Sequence, residues 1–150
     1  VERRKENFFK LQEREPLPAM PGVHRILETA RVSADVKLAI ATSGNEDKQF
    51  PVIAGAGLEL SWFDVVVTGD DVTKKKPDPQ IYEITAEKLG VPPKRCVVLE
   101  DAPAGVASAK AAGAVCVAVT SSVDAEKLQD ADLVVDSLEE VSVATMRRMV

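Results

Sequence analysis

Cys96-Val97-Val98-Leu99-Glu100-Asp101-Ala102-Pro103-Ala104-Gly105-Val106 is the stretch on which the reading of this chain turns. Residues 96–99 are continuously apolar, which predicts a short strand buried on both faces. Residues 102–106 read as a helix start, with Pro103 where a first turn tolerates proline. Glu100-Asp101 therefore falls at a strand-to-helix turn, where open α/β sheets place their ligands. Adjacent carboxylates each resist ionising beside the other. A divalent cation relieves that conflict, and magnesium takes one or two protein carboxylates, several waters and phosphate oxygens. The competing reading makes Asp101 only the N-cap of the helix and leaves Glu100 facing solvent. On these residues alone both readings stand.

Outward from this stretch, helical and strand patterns alternate. Helices are predicted over residues 23–32, 46–55 and 79–89, with Gly90 ending the third, and over a segment reaching residue 112. Strands are predicted over 36–41, 63–68, 96–99, 114–119 and 132–135, with a short helix before the last. Short apolar strands alternating with helices imply right-handed crossovers and a doubly wound, Rossmann-like parallel sheet of the α/β class. Residues 1–14 carry Phe8, Phe9 and Leu11 among charges, an amphipathic helix pattern, and the proline-rich stretch from Pro16 to Gly22 reads as a linker. The division expected is a helix and linker over 1–20 and a core domain over 21–150.

Composition narrows the function. A chain of 150 residues suits one domain. It is 45% hydrophobic but only 4% aromatic, with many Val and Ala, which fits a parallel sheet covered by helices. A formal charge of -5 argues against a sequence-independent nucleic-acid binder, and the short run Lys74-Lys75-Lys76 does not reverse that. No apolar stretch is long enough to span a membrane, and Val1-Glu2-Arg3-Arg4-Lys5 is not a signal peptide. The partner expected is thus neither nucleic acid nor membrane. Cys96 and Cys116 both fall in predicted strands and read as small reduced core residues, which fits a cytoplasmic compartment. The chain opens on Val1 within a helical pattern and reads as a piece of something longer.

Two further loops follow predicted strands and would share the ligand edge of a parallel sheet. Thr42-Ser43-Gly44-Asn45 offers hydroxyls and the N–H groups of a helix start for a phosphate oxygen; ordinary capping explains the same residues, and Glu46 and Asp47 weaken an anion site. In Lys76-Pro77-Asp78-Pro79, Lys76 is a compact cation suited to phosphate and Asp78 reads as a helix cap. Together the loops supply a hydroxyl, a cation and a carboxylate pair, the groups that stabilise a phosphoryl group in transfer. His24 and Trp62 read as surface and packing residues, and Asp70-Asp71 as a solvated turn.

The order and wording of these motifs resemble the haloacid dehalogenase (HAD)-like hydrolase superfamily, in its phosphatase and beta-phosphoglucomutase-like branch, from Pro21 to the C-terminus. Residues 98–106, continuing to Ala111-Ala112-Gly113, resemble the family's fourth motif, and Phe63-Asp64-Val65-Val66-Val67-Thr68-Gly69-Asp70-Asp71 resembles the third-strand region of its sugar-phosphate phosphatases. The resemblance implies that Thr42 binds the phosphoryl group, with Ser43 beside it, that Lys76 steadies phosphate and nucleophile, and that Glu100 and Asp101 bind Mg2+. Catalytic roles are thereby expected for Thr42 and Lys76. Residues 1–14 resemble the last helix of a cap, making them a cap remnant.

The first motif, Asp-x-Asp on the first strand, is absent: Asp70 and Asp71 are adjacent, and Asp130-x-Asp132 precedes a strand. Its first aspartate is the family's nucleophile and its strand is central, between those at 36–41 and 96–99. The resemblance thus implies a truncated chain, lacking the nucleophile and inactive alone, completed by another segment, by self-association through strand exchange, or by direct pairing of the two flanking strands. For the complete protein it implies a Mg-dependent phosphatase acting through a phosphoaspartyl intermediate on a small phosphorylated metabolite, a sugar phosphate first among them. The alternatives are a phosphomutase and a non-catalytic module that binds phosphate or a partner.

Overall fold

A computed structural model describes residues 17–150. The helix expected over 1–14 lies outside the described residues, so the division at residue 20 is not addressed. The described elements run α1 (Val23–Arg31), β1 (Ala39–Ala41), α2 (Glu46–Gly55), β2 (Val65–Val67), α3 (Gln80–Leu89), β3 (Val97–Glu100), α4 (Pro103–Ala111), β4 (Val115–Val119), β5 (Leu133–Val135) and α5 (Val143–Arg147). Single 3-10 turns at Leu60–Trp62, Pro93–Arg95, Ala125–Leu128 and Leu138–Glu140 fill the connections.

Every strand pair is parallel, as the continuous apolar runs predict. The strands form two separate sheets, β1-β2 and β3-β4-β5. Ala39 is in register with Val65, Glu100 with Ala118 and Ala118 with Val134. Among the described residues no ladder joins the two sheets, so direct pairing of the strands flanking the expected central position does not occur. Burial follows pairing. Cys116, Val117 and Ala118 of the doubly paired β4 are fully buried, whereas Leu99 of the edge strand β3 is 38% exposed.

The sheets nevertheless share their helical cover. On one side Ile26 and Ala30 of α1 pack with Val117 and Val119, and the same cluster takes in Leu38 just before β1 and Val97 of β3. On the other, Ile81 and Tyr82 of α3 join Val67 of β2 to Val106 and Cys116. Parallel strands with apolar residues on both faces require cover on both, and these clusters provide it.

The predicted strands are longer than the ladders. Strand 36–41 pairs only from Ala39, because the Asp64 carboxylate takes the Leu38 N–H at 2.8 Å while Asp64 N–H reaches Leu38 O at 2.8 Å. Strand 63–68 stops at Val67, because Thr68 N–H turns to the Asp71 carboxylate at 2.8 Å. The sequence pattern also missed α5, a five-residue helix whose first turn is capped by Ser142 accepting from Thr145 N–H. Arg25 of α1 holds the chain leading into α5, donating to the carbonyls of Leu138, Glu139 and Val141 at 3.2, 3.0 and 2.7 Å.

Asp132 fixes the entry to β5. Its carboxylate accepts from Lys110 at 2.7 and 2.8 Å and from Cys116 N–H at 2.7 Å, and the Lys110 bond, more than the backbone one, holds its pKa below the usual carboxylate range. A depressed folded-state pKa contributes stability above the unfolded value that is lost as pH falls through the folded one. The gap in melting temperature between wild type and Asp132→Asn should therefore be open at pH above about 5 and close as pH falls below about 4. Thermal unfolding followed by circular dichroism at stepped pH measures it; a gap that does not narrow in acid contradicts the role.

Candidate functional site

The Asp101 capping reading fails on geometry. The N-cap position of α4 is Ala102, which offers no side-chain bond, and Pro103 follows as the first helical residue. Asp101 instead accepts a short hydrogen bond from Ser122 Oγ, in the loop after β4. Glu100 does not face solvent: its side chain is only 8% exposed. Its carboxylate lies over the first turn of α4, where a Cβ on Gly105 would stand 2.1 Å from the carboxyl carbon, so a side chain there would displace the Glu100 carboxylate.

Lys76 comes to the same point from the connection after β2. Its ammonium pairs at short range with Glu100 Oε1 and donates to Tyr82 Oη at 2.8 Å, and it stands 4.8 Å from the Tyr82 ring centroid. Tyr82 in turn donates to the same Glu100 oxygen. Burial first, and the Glu100 charge second, push the Tyr82 hydroxyl far above its ordinary range, so it stays a donor. The Lys76–Pro77 peptide is cis, in a turn closed by Asp78 N–H to Lys75 O at 3.0 Å. The N-cap position of α3 is Pro79, so Asp78 stands one residue before it; its carboxylate still accepts from Gln80 N–H at 3.0 Å, while Ser108 of α4 bonds the Asp78 carbonyl at 2.7 Å.

Thr42 and Ser43 follow β1. Thr42 is half-buried, with its hydroxyl donating to Gln49 Oε1 at 3.2 Å and accepting from Gly44 N–H at 3.3 Å; Ser43 is exposed. Among the described residues neither bonds to Lys76 or the acids, so the structure gathers Lys76, Glu100 and Asp101 but sets Thr42 and Ser43 on their own loop. The start of α2 already holds an anion. Asp70 accepts from Glu46 N–H at 3.0 Å and from the Asn45 amide, and those bonds, the backbone one foremost, lower its pKa. The pair is an exposed turn, as the sequence suggests, with both carboxylates hydrogen-bonded: Asp71 is likewise lowered, chiefly by the Thr68 N–H.

The acid pair supplies hard oxygen donors, with the Ser122 hydroxyl beside Asp101. Among the described residues no three His, Cys, Asp or Glu side chains gather as a metal cage. Such a set suits magnesium, which keeps several waters and uses one or two carboxylates, better than a metal that needs a full protein shell. Both cysteines are free, and burial raises both thiols, Cys116 to about 12, which disfavours a nucleophilic thiolate. His24 is exposed, and Trp62 packs under the Arg31 guanidinium, 4.5 Å from its ring centroid. Sequence reasoning missed Tyr82, Ser122 and Gly105. Tyr82 alone carried a signal, an aromatic hydroxyl on the buried face of α3 beside Ile81, Thr85 and Ala86, because a buried hydroxyl needs a partner.

Comparison with known proteins places this arrangement. The sequence profile of the haloacid dehalogenase-like hydrolases matches residues 1–113. The chain is 42% identical over 106 residues to validoxylamine A 7'-phosphate phosphatase of Streptomyces hygroscopicus subsp. limoneus, covering 71% of this chain and 49% of the relative. It is 40% identical over 135 residues to hexitol phosphatase A of Escherichia coli, covering 87% of this chain and 59% of that one. Crystalline CbbY from Rhodobacter sphaeroides, in complex with xylulose-(1,5)bisphosphate, superposes with a TM-score of 0.83 at 31% identity, covering 94% of this chain and 64% of that one. The chain thus spans roughly half the length of the curated relatives it matches.

The loops after β1 and β2 are locked together by Gly69, whose N–H reaches Gly44 O at 2.8 Å. A Cβ on Gly69 would stand 2.5 Å from the Ser43 carbonyl oxygen, a backbone atom that cannot swing aside. Gly69→Ala is expected to lower unfolding free energy by about 1–3 kcal/mol, as overpacking does. Urea unfolding measures it, and an unchanged midpoint would mean the two loops are not rigidly held.

Proposed function

The chain belongs to the haloacid dehalogenase-like hydrolases, and from that premise we propose that it is the phosphate- and metal-binding part of a magnesium-dependent phosphatase acting on a small sugar or polyol phosphate. The observation that carries the reading is the meeting of Lys76 with Glu100 at the end of β3, beside an Asp101 released from capping. The phosphatase reading is favoured over the mutase because two of the relatives, at 42% and 40% identity, are a validoxylamine A 7'-phosphate phosphatase and a hexitol phosphatase.

The chain's own residues would divide the work. The Lys76 ammonium has three donors, of which Glu100 and Tyr82 take two, and the third is available to a phosphate oxygen. Thr42 would turn its hydroxyl from Gln49 to a second phosphate oxygen, and Ser43 lies next to it. Magnesium, held by Asp101 with Glu100 beside it, would supply positive charge opposite the transferring oxygens. The attacking carboxylate, whose phosphoaspartyl adduct water then opens, would come from an Asp-x-Asp strand seated between β1 and β3. Three features support that seat: among the described residues β1 and β3 are each paired on one side only, α1 packs against residues of both flanks, and Leu99 is left 38% exposed.

Phosphate release from a panel of hexitol, hexose and pentulose phosphates tests this, with the chain alone and with the chain carrying an upstream Asp-x-Asp strand. Turnover is expected only with the added strand. Lys76→Ala should lower it by about 10²–10³-fold, the usual effect of removing one transition-state donor. Turnover by the chain alone would overturn the assignment of the nucleophile. Magnesium affinity unchanged by Glu100→Ala together with Asp101→Ala would overturn the metal assignment.

A further inference from the structure

Lys76 can serve a phosphate only if its ammonium stands in one place, and a lysine is a flexible four-carbon chain with a rotating head. The Lys76 side chain is 15% exposed and Glu100 is 8% exposed, so the pair sits out of bulk water. One carboxylate oxygen does not fix an ammonium, which can pivot about a single contact. Tyr82 provides the second point, from a different element.

We propose that Tyr82 is a positioning residue of this site, its hydroxyl fixing both the Lys76 ammonium and the Glu100 carboxylate through one oxygen. The donor sense follows from chemistry: lysine only donates, an ionised carboxylate only accepts, and the hydroxyl between them does both. Lys76 gives to Tyr82 Oη at 2.8 Å, and Tyr82 gives its single proton to Glu100 Oε1. The three groups form a closed triangle, because Lys76 also bonds that same Glu100 oxygen. Tyr82 is itself packed in, 8% exposed in the cluster that includes Ile81, Val106 and Cys116. Gly105 completes the arrangement by leaving the Glu100 carboxyl room to lie against α4. The triangle leaves the third Lys76 donor with a set direction, and that is what a phosphate oxygen would meet. The phosphate consequence rests on the proposed function above; the triangle does not.

Tyr82 is the sole tyrosine of the chain, so a 13Cζ-tyrosine label gives one resonance, and the Lys76 15Nζ signal can be assigned by its loss in Lys76→Arg. Tyr82→Phe keeps the ring under the ammonium and removes only the oxygen. The expected results are three. The tyrosine resonance of the full chain moves on Glu100→Gln. The Lys76 ammonium signal moves or broadens away in Tyr82→Phe while the melting temperature stays within a few degrees. Affinity for inorganic phosphate with magnesium falls about tenfold in Tyr82→Phe, the loss expected for one charge-assisted hydrogen bond. A tyrosine resonance indifferent to Glu100→Gln, or an ammonium signal indifferent to Tyr82→Phe, overturns the proposal. If wild type binds no phosphate, the proposed function fails while the two spectroscopic results still decide the role of Tyr82. If wild type binds phosphate and Tyr82→Phe binds it equally well, the positioning role fails and the proposed function stands.

Discussion

The ion pair between Lys76 and Glu100 is the contact on which the candidate site depends. It joins the connection after β2 to the end of β3, two strands that belong to different sheets. No ladder bridges those sheets among the described residues, so side chains and shared helices must do so. Both partners are largely out of water, and a buried ion pair repays its desolvation only when further hydrogen bonds satisfy it. The Tyr82 hydroxyl supplies one to each. Removing a single partner from such a pair costs about 3–5 kcal/mol, because the other charge stays behind. Stability and site geometry are therefore tied to the same three atoms.

The adjacent carboxylates resolve their repulsion by parting. Glu100 takes Lys76 and Tyr82, while Asp101 takes Ser122, so the two carboxylates have separate partners. This separates two roles that the bare Glu-Asp pair could not assign. Glu100 is already paired with a lysine, whereas the side-chain bond to Asp101 comes from a neutral hydroxyl.

The sequence made the fold legible because its signals were local. Continuous apolar runs marked all five strands, and helix 46–55 was read to the residue. What it missed was made by distant partners. Strand 36–41 loses its first half to Asp64, a residue 26 positions from Leu38, and the cap of α2 comes from Asp70 rather than Asn45. α5 is five residues long and depends on packing against α1, too short for periodicity to declare it. At the site, Lys76, Glu100 and Asp101 could be named from motif order. Tyr82 and Ser122 could not, since their roles exist only once α3 and the loop after β4 are folded against the end of β3.

The charge layout explains why fixing Lys76 matters so much. The start of α2, the helix N-terminus beside Thr42, would ordinarily attract a phosphate. Here Asp70 accepts the Glu46 N–H, and Glu46 and Asp47 add two more carboxylates in the first turn. That end of the sheet edge is already electronegative and offers a phosphate little beyond the Thr42 and Ser43 hydroxyls. Lys74 is 69% exposed and turned towards Asp78, 3.9 Å away. Lys76 is then the cation at the end of β3 able to meet a phosphoryl group, and its charge is shared with Glu100. A single, partly neutralised cation contributes through direction more than through field strength. Direction is what a buried tyrosine, a pinned carboxylate and a glycine in the first turn of α4 provide.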